Sequence, residues 1–175
     1  PRGIGLALPS LRADAFSVGL ANTIQRVRKT GLTFAPEAGT ARLRRVIGKQ
    51  MQEDDLFAAA EAAFASGWTR LKLYFMIGLP TETDDDVEAI GDLVHRLVKF
   101  GRGAVGSRQS RLQIAASVTT FVPKPHTPLQ WAAQDASEDL ARKHEILQRV
   151  LRGRHVKLSW TDPGTSALEA ALSRG

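Results

Sequence analysis

The chain has 175 residues with 24 Lys plus Arg, 18 Asp plus Glu and a hydrophobic fraction of 43%, which gives a formal net charge of +6 at pH 7. This composition is typical of one globular domain and excludes intrinsic disorder, because disordered chains combine low hydrophobicity with high net charge. Cysteine is absent from the sequence, which excludes disulfide bonds, a thiolate nucleophile and any iron–sulfur cluster held by this chain alone.

The longest uncharged apolar stretch, residues 73–80, is much shorter than the roughly 18 to 20 residues of a membrane-spanning helix. We therefore expect no membrane partner. The sequence shows no signal-peptide pattern, and we expect a cytoplasmic location. Since Pro1 is not an initiator methionine and residues 4–8 already form a strand-like run, we expect an internal fragment whose partner is the upstream part of the same protein.

The basic residues are scattered over the polar faces and ends of the predicted helices. A solvated surface explains such a distribution better than a nucleic-acid footprint does, although RNA binding stays open as an alternative.

Five β-rich runs alternate with helical patterns along the chain. The strands are predicted at residues 4–8, 32–35, 70–77, 112–122 and 156–160. The helices are predicted at residues 15–28, 41–47, 54–66, 84–99 and 138–152, with Thr83 and Ser137 as the N-caps of the last two. This alternation predicts an α/β fold with parallel strands, in a single domain that spans residues 1–175.

A proline follows each predicted strand within a few residues. These prolines are Pro9, Pro36, Pro80, Pro123 and Pro163. Because proline cannot donate to a strand ladder, the five positions predict the carboxyl edge of the parallel sheet, which is where α/β enzymes carry their sites.

Apolar and polar residues alternate along the predicted strands, so one face of the sheet is apolar and the other is polar. The polar face includes Lys72, Tyr74, Ser117 and Lys157. A closed eight-stranded barrel has an apolar interior, and a doubly wound sheet is apolar on both faces. The pattern therefore predicts a partial (β/α) barrel of about five strand–helix units, an incomplete TIM-like barrel, around a wet cavity.

Several polar residues fall at the predicted carboxyl edge. Glu37 either grips a polar ligand or complements the dipole of the following helix. Glu82 is expected to close backbone amides of its turn, where Gly78 lets a flat ligand approach. Arg12 binds either a ligand carboxylate or a structural ion-pair partner. His126 contacts a ligand or belongs to a rigid loop, and the four histidines show no metal-ligand spacing.

Three stretches of the chain resemble the radical SAM superfamily. They are A-P-E-A-G-T at residues 35–40, Y-F-M-I-G-L-P-T-E-T at 74–83 and F-V-P-K-P-H-T-P at 121–128. Their order is similar to the back half of the methylthiotransferase-like radical SAM core. A finer resemblance, to a largely uncharacterised group of fused radical SAM proteins with a cobalamin-binding-like region upstream, rests on residues 9–12, 31–40 and 71–83.

The resemblance implies a partial (β/α)6 core that lacks its first two strands and the three cluster-binding cysteines. It implies S-adenosylmethionine and a [4Fe–4S] cluster in the full-length protein, while this fragment is expected to bind neither and to be inactive alone. The implied cofactor contacts are Glu37, Gly78, Leu79, Pro80, Val122, Pro123 and Arg12. The implied substrate cavity is lined by Lys72, Tyr74, Ser117 and Lys157.

The resemblance therefore implies that the chain is the S-adenosylmethionine-binding half of a radical SAM oxidoreductase. The substrate, either a small molecule or RNA, stays open, and no catalytic residue is assigned. The alternative is a non-catalytic, barrel-derived binding module, with RNA as a candidate ligand. A C-x-x-x-C-x-x-C run in the upstream sequence would distinguish the enzyme from the binding module.

Overall fold

Within residues 32–174, four parallel strands form one sheet, side by side in the order in which they occur along the chain. The computed structural model describes residues 32–174. The strands are β1 (Leu32–Glu37), β2 (Arg70–Ile77), β3 (Gln113–Thr120) and β4 (Val156–Trp160). The prediction of an α/β fold with parallel strands is confirmed. The strand predicted at residues 4–8, the helix predicted at 15–28, Pro9 and Arg12 lie outside the described residues.

The carboxyl ends of the four strands share one edge, as the prolines predicted. Pro80 and Pro123 follow β2 and β3, and β4 is followed by a helix that begins at Pro163. Pro36 differs, because β1 continues through it to Glu37 and the expected strand end at residue 35 is wrong. The pairing of β1 with β2 shifts register between Phe34 and Glu37, and a proline is tolerated at such an irregularity because it lacks an amide hydrogen.

The helices predicted at 41–47, 54–66, 84–99 and 138–152 are present with some different ends, while the helix at 163–174 and the 3-10 helix at 106–111 are not among the predicted elements. The helices are α1 (Ala41–Val46), α2 (Glu53–Ala65), α3 (Asp84–Val105), α4 (Ser137–Val150) and α5 (Pro163–Arg174), with a 3-10 helix at Gly106–Arg111. Thr83 caps α3 as predicted. The predicted N-cap Ser137 is wrong: the carbonyl of Ala136 already accepts a hydrogen bond from the Leu140 amide at 3.0 Å, which makes Ser137 the first helical residue. Within residues 32–174, no helix has both the length and the apolar content that spanning a bilayer requires.

Helices α2, α3 and α4 cover one face of the sheet, which supplies the main core. The buried strand residues include Leu73, Phe75 and Val118, and they share this core with Phe64 of α2, Leu93 of α3 and Leu147 of α4. Burial alternates along β1, β2 and β3, and on the opposite face the residues are only half-buried. The predicted alternation of apolar and polar faces is confirmed. We call the second face of the sheet the open face. It carries Lys72, Tyr74, Ser117 and Lys157, together with the other strand residues whose side chains lie on the same side of the sheet.

A second, smaller apolar cluster lies where the first three strands end. It contains the buried residues Ala38, Leu43, Leu79 and Phe121, with Ile47, Met76 and Leu129 packed against them. The loops after β1, β2 and β3 therefore meet around a shared apolar floor at the carboxyl edge.

Candidate functional site

A cavity of about 760 Å³ opens at the carboxyl edge of the sheet. We call it the edge cavity. Its floor contains the apolar residues Ile47, Met76, Leu79, Phe121 and Leu129. The loops after β1, β2 and β3 all contribute to its lining, and this volume lies in the range of small-molecule sites in proteins.

Charged side chains of both signs line the same cavity. Glu37 pairs with Lys49 at 3.3 Å, and Lys124 pairs with Glu169 of α5 at 2.7 Å. Arg45 also lines the cavity and makes no ion pair with any other residue in the range 32–174. An apolar floor beside acids and bases can hold a ligand that combines a flat apolar part with a zwitterionic end.

Three residues at this edge have left-handed backbone conformations that non-glycine residues rarely adopt. Glu37 ends β1 with φ 69°, Thr81 follows β2 with φ 65°, and His126 follows β3 with φ 62°. Within residues 32–174, no other non-glycine residue has a positive φ. Such conformations cost free energy and concentrate at functional sites, so the carboxyl edge is also the strained part of the described backbone.

Glu37 does not lie in the first turn of α1. Thr40 is the N-cap of that helix, and no acidic residue occupies its first turn. Glu37 instead forms the ion pair with Lys49 beside the edge cavity, with its side chain 24% exposed. Of the two roles open for Glu37, its position fits contact with a ligand better than support of the helix dipole.

Two residues of the stretch 35–40, Gly39 and Thr40, are explained by their packing and hydrogen bonds. A Cβ placed on Gly39 would lie 2.5 Å from the backbone nitrogen of Ile90, so this loop packs directly against α3. The Thr40 hydroxyl accepts a hydrogen bond from the Leu43 amide at 3.2 Å and donates to Oδ1 of Asp86 at 2.5 Å. The loop after β1 is therefore fixed to the first turn of α3.

Asp86 gathers the hydrogen bonds of this junction. It accepts from the hydroxyl of Thr40, from the guanidinium of Arg42, and from both the amide and the hydroxyl of Thr83 at 2.9 Å. Burial alone would raise the pKa of Asp86, but the hydrogen bonds from Thr40, Thr83 and Arg42 outweigh burial and lower the pKa to about 2. The carboxylate is thus held ionised and joins two of the loops that surround the edge cavity.

A second buried network holds the turn after β2. Glu82 accepts a hydrogen bond from the Gly78 amide at 2.6 Å, and Lys143 of α4 lies 2.7 Å from Glu82 and 2.6 Å from Asp135. The side chains of Glu82 and Lys143 are only 1% and 4% exposed. The structural role predicted for Glu82, the closure of a backbone amide of its turn, is confirmed.

In this network the carboxylates of Glu82 and Asp135 share the ammonium group of Lys143. Burial raises the pKa of Glu82, and this effect exceeds the opposing hydrogen bond from Lys143. Burial would lower the pKa of Lys143, but hydrogen bonds to Asp135 and Glu82 raise it instead. Lys143 therefore stays charged and anchors the loop between β3 and α4 to the turn after β2.

Sequence reasoning missed Lys143, Asp135 and the buried Arg44, whose guanidinium donates to the carbonyl oxygens of Ala38 and Gly39 at 2.8 and 3.3 Å. A signal for Lys143 does exist. It lies three residues after Leu140 and four before Leu147, on the buried stripe of α4.

The cofactor residues implied by the resemblance divide into two groups. Glu37, Leu79 and Val122 line the edge cavity. Gly78 and Pro80 flank Leu79 in its turn, and Pro123 follows Val122, but these three do not line the cavity. His126 is exposed and also lies outside the lining.

The implied substrate residues lie on the open face and not in the edge cavity. Tyr74 is in register with Ser117, and Lys72 and Lys157 are both in register with Ala115. The Lys72 ammonium donates to the Tyr74 hydroxyl at 3.0 Å. The fold therefore brings the four predicted residues together on one surface of three neighbouring strands.

The chain is similar to the uncharacterised protein MJ0966 of Methanocaldococcus jannaschii. The two are 32% identical over 173 residues, which cover 99% of this chain and 36% of that protein. No family model matches the chain. This chain therefore spans about a third of the length of the relative.

The residues present do not fit an iron–sulfur cluster. The chain has no cysteine, and within residues 32–174 no three His, Asp or Glu side chains are grouped as metal ligands would be. A cluster would need ligands from another part of a longer protein.

Proposed function

We propose that this chain is the S-adenosylmethionine-binding half of a radical SAM iron–sulfur oxidoreductase and that it is inactive alone. The edge cavity carries the proposal. The stretches at residues 35–40, 74–83 and 121–128, which resemble the superfamily, all contribute residues to the cavity or lie beside it. A cytoplasmic enzyme of this kind needs its cluster-binding cysteines from sequence outside this chain.

The sheet topology supports the finer assignment of a partial (β/α) barrel. The four strands of the described part of the chain follow one another in sequence order, without, among themselves, the reversal of order that defines a doubly wound sheet. Helices α2, α3 and α4 lie on the apolar face, while the open face is polar. In a barrel, the open face would line the interior and the carboxyl edge would carry the site.

The lining of the edge cavity fits S-adenosylmethionine. The apolar floor suits adenine, and the hydroxyl of Thr120, which lines the cavity, is buried and has no hydrogen-bond partner among residues 32–174. Glu37 and Glu169 suit the ligand's ammonium group, and Arg45 suits its carboxylate. The hydroxyl of Thr120 is a polar group with which a bound heterocycle can form a hydrogen bond.

When bound, S-adenosylmethionine would supply hydrogen-atom abstraction chemistry, with the reducing electron provided by a cluster held by another part of the longer protein. The residues of this chain bind and orient that cofactor. Glu37 and Arg45 fix its charged end, and the floor around Leu79 and Phe121 excludes water from the other end. Arg42, Asp86 and Lys143 act indirectly, because they hold the loops that form the walls.

The proposal is tested on the intact protein by calorimetric titration with S-adenosylmethionine. Glu37→Gln should weaken binding about tenfold, because a charged hydrogen-bond partner is lost. Glu61→Gln, at an exposed position of α2 outside the cavity, is the matched control and should bind like the unaltered protein. Absence of binding to the unaltered protein, or equal affinities of the two variants, would contradict the proposal.

One observation favours the non-catalytic, RNA-binding alternative. Trp131, in the loop that follows β3, is 89% exposed, and exposed aromatic rings are stacking platforms for unpaired bases. Trp131→Ala should then weaken binding of an oligouridylate by at least about fivefold. An intact protein that binds the oligonucleotide in this way, but not S-adenosylmethionine, would support the binding module over the enzyme.

A further inference from the structure

The open face of the sheet carries cations that are not neutralised. Arg70, Lys72 and Lys157 have the parity of this face, and among residues 32–174 none of the three forms an ion pair. Glu37 is the acidic residue in β1–β4; it follows the register shift of β1, opposite Phe75, and already pairs with Lys49 at the carboxyl edge. Cations that share a surface without acids create a positive potential, and that potential favours an anionic ligand.

Lys72 and Lys157 are placed to act on one ligand group. Both are in register with Ala115 of the strand between them. Adjacent strands are about 4.8 Å apart, so the two lysine backbones are separated by about 10 Å. The methyl side chain of Ala115 fills little of that gap, and the long flexible stems of the lysines allow both ammonium groups to meet above it.

Hydroxyl groups lie in the next row of the same face. Tyr74, Ser117 and Ser159 are in register across β2, β3 and β4. The Lys72 ammonium lies over the Tyr74 ring, 4.5 Å from the centroid of the ring. The same ammonium donates a hydrogen bond to the Tyr74 hydroxyl at 3.0 Å. The surface therefore combines two ammonium groups with three hydroxyl donors, a set that suits an oxyanion.

The row after the hydroxyls leads into the edge cavity. Met76 and Thr119 are in register with each other, two residues further toward the carboxyl edge, and both line that cavity. Successive residues on one face are spaced about 6.6 Å apart along a strand. An anion held by the lysines would thus lie roughly 13 Å from the cavity floor at Met76, within the length of one small molecule.

We propose that Lys72 and Lys157, with the hydroxyls of Tyr74, Ser117 and Ser159, bind a phosphate monoester group of the substrate. Two ammonium groups match the charge of about −2 that a phosphate monoester carries near neutral pH, whereas a single carboxylate would leave one cation unmatched. The assignment of this group to the substrate rests on the proposed function. The phosphate site itself rests only on the open face.

The test is calorimetric titration of the intact protein with inorganic phosphate. Lys72→Met and Lys157→Met should each weaken phosphate binding about tenfold, because each removes a charged donor. Lys157→Arg should retain binding, because the charge is kept. Lys99→Met, on an exposed position of α3, is the control for loss of one positive charge and should bind phosphate like the unaltered protein.

S-adenosylmethionine affinity, measured in the same variants, separates the two proposals. Phosphate binding that depends on Lys72 and Lys157, in a protein that does not bind S-adenosylmethionine, would overturn the proposed function and leave the phosphate site intact. Equal phosphate affinities of Lys72→Met, Lys157→Met and Lys99→Met would overturn the phosphate site whatever the cofactor result.

A further titration identifies the source of the phosphate. Uridine 5′-monophosphate should bind at least as tightly as inorganic phosphate and lose affinity in the same two variants. An oligouridylate without a terminal phosphate should not depend on Lys72 and Lys157. If it does, a polynucleotide backbone is the ligand, and the assignment to a phosphate monoester is wrong.

Discussion

The hydroxyl of Thr40 donates to the carboxylate of Asp86 at 2.5 Å across 46 positions of sequence. Thr40 is the N-cap of α1, and Asp86 is the third residue of α3, where it forms a capping box with Thr83. One carboxylate therefore serves the starts of two helices that follow neighbouring strands. The relative position of two walls of the edge cavity depends on this contact.

Replacement of Asp86 should destabilise the protein strongly. Asp86→Ala removes the capping box and the acceptor of the Thr40 hydroxyl, and it leaves the Arg42 guanidinium with Thr81 as its remaining partner. We expect a loss of about 3 kcal/mol in the free energy of unfolding, measured by urea denaturation. Asp85→Ala is the matched control, because Asp85 is exposed in the same turn, and it should cost at most about 1 kcal/mol through the helix dipole. Equal losses would show that the buried contacts contribute nothing.

Asp86 should also make stability depend on pH in the acid range. Its pKa is about 2 in the folded protein, against 3.8 for an ordinary aspartate. The folded state therefore binds this proton less readily than the unfolded state, so the stabilisation is complete above about pH 4 and is lost as the pH falls toward 2. The loss should be about 2 kcal/mol and is measured as the unfolding free energy at a series of pH values. Asp86→Asn cannot titrate and should lack this part of the acid dependence; an unchanged profile would contradict the role of Asp86.

Local patterns in the sequence predict the elements of this fold well, since strand alternation and helix caps act over a few residues. The start of α3 at Asp84 and its cap Thr83 follow from such a pattern. The bulge that keeps Pro36 inside β1 depends on pairing with β2, which the sequence of β1 alone does not contain.

The candidate site is predicted less completely, because its contacts join residues distant in sequence. The proline pattern locates the carboxyl edge, and Glu37 is expected there. The partners Thr40 and Asp86, or Glu82 and Lys143, meet only when the strands are assembled. The sequence pattern of basic residues favours a solvated surface, whereas Lys143 is buried.

Gly39 should not tolerate a side chain. A Cβ at this position would lie 2.5 to 2.7 Å from backbone atoms of α3, which cannot move without distorting the helix. Gly39→Ala should lower the free energy of unfolding by about 2 kcal/mol, measured by thermal melting. Gly103 of α3 offers a matched control, because a Cβ there would meet no atom within 4 Å. Gly103→Ala should be stabilising by about 0.5 to 1 kcal/mol, so the same substitution is expected to act in opposite directions at the two positions.

Lys143 should be the most sensitive position of the second network. Lys143→Met leaves the buried carboxylate of Glu82 beside Asp135 without a cation. We expect a loss of about 3 to 5 kcal/mol in the free energy of unfolding, because an unpaired buried charge is costly. Glu82→Gln alone removes one carboxylate partner of the Lys143 ammonium and leaves Asp135 in place. It should therefore lower the free energy of unfolding by less than Lys143→Met does. In the double variant the two effects should be far from additive, as measured by a double-mutant cycle.

The same substitution should enlarge the contribution of Glu82 to the pH dependence of stability. Burial already raises the pKa of Glu82 in the unaltered protein, and Lys143 opposes that effect. Without the ammonium, the pKa of Glu82 should rise further, so the folded state's existing preference for this proton over the unfolded state should increase. The unfolding free energy of Lys143→Met should therefore recover as the pH is lowered from 7 toward 5, and adding Glu82→Gln should abolish that recovery. A stability deficit that is constant across this pH range would mean that Lys143 contributes through packing and not through its charge.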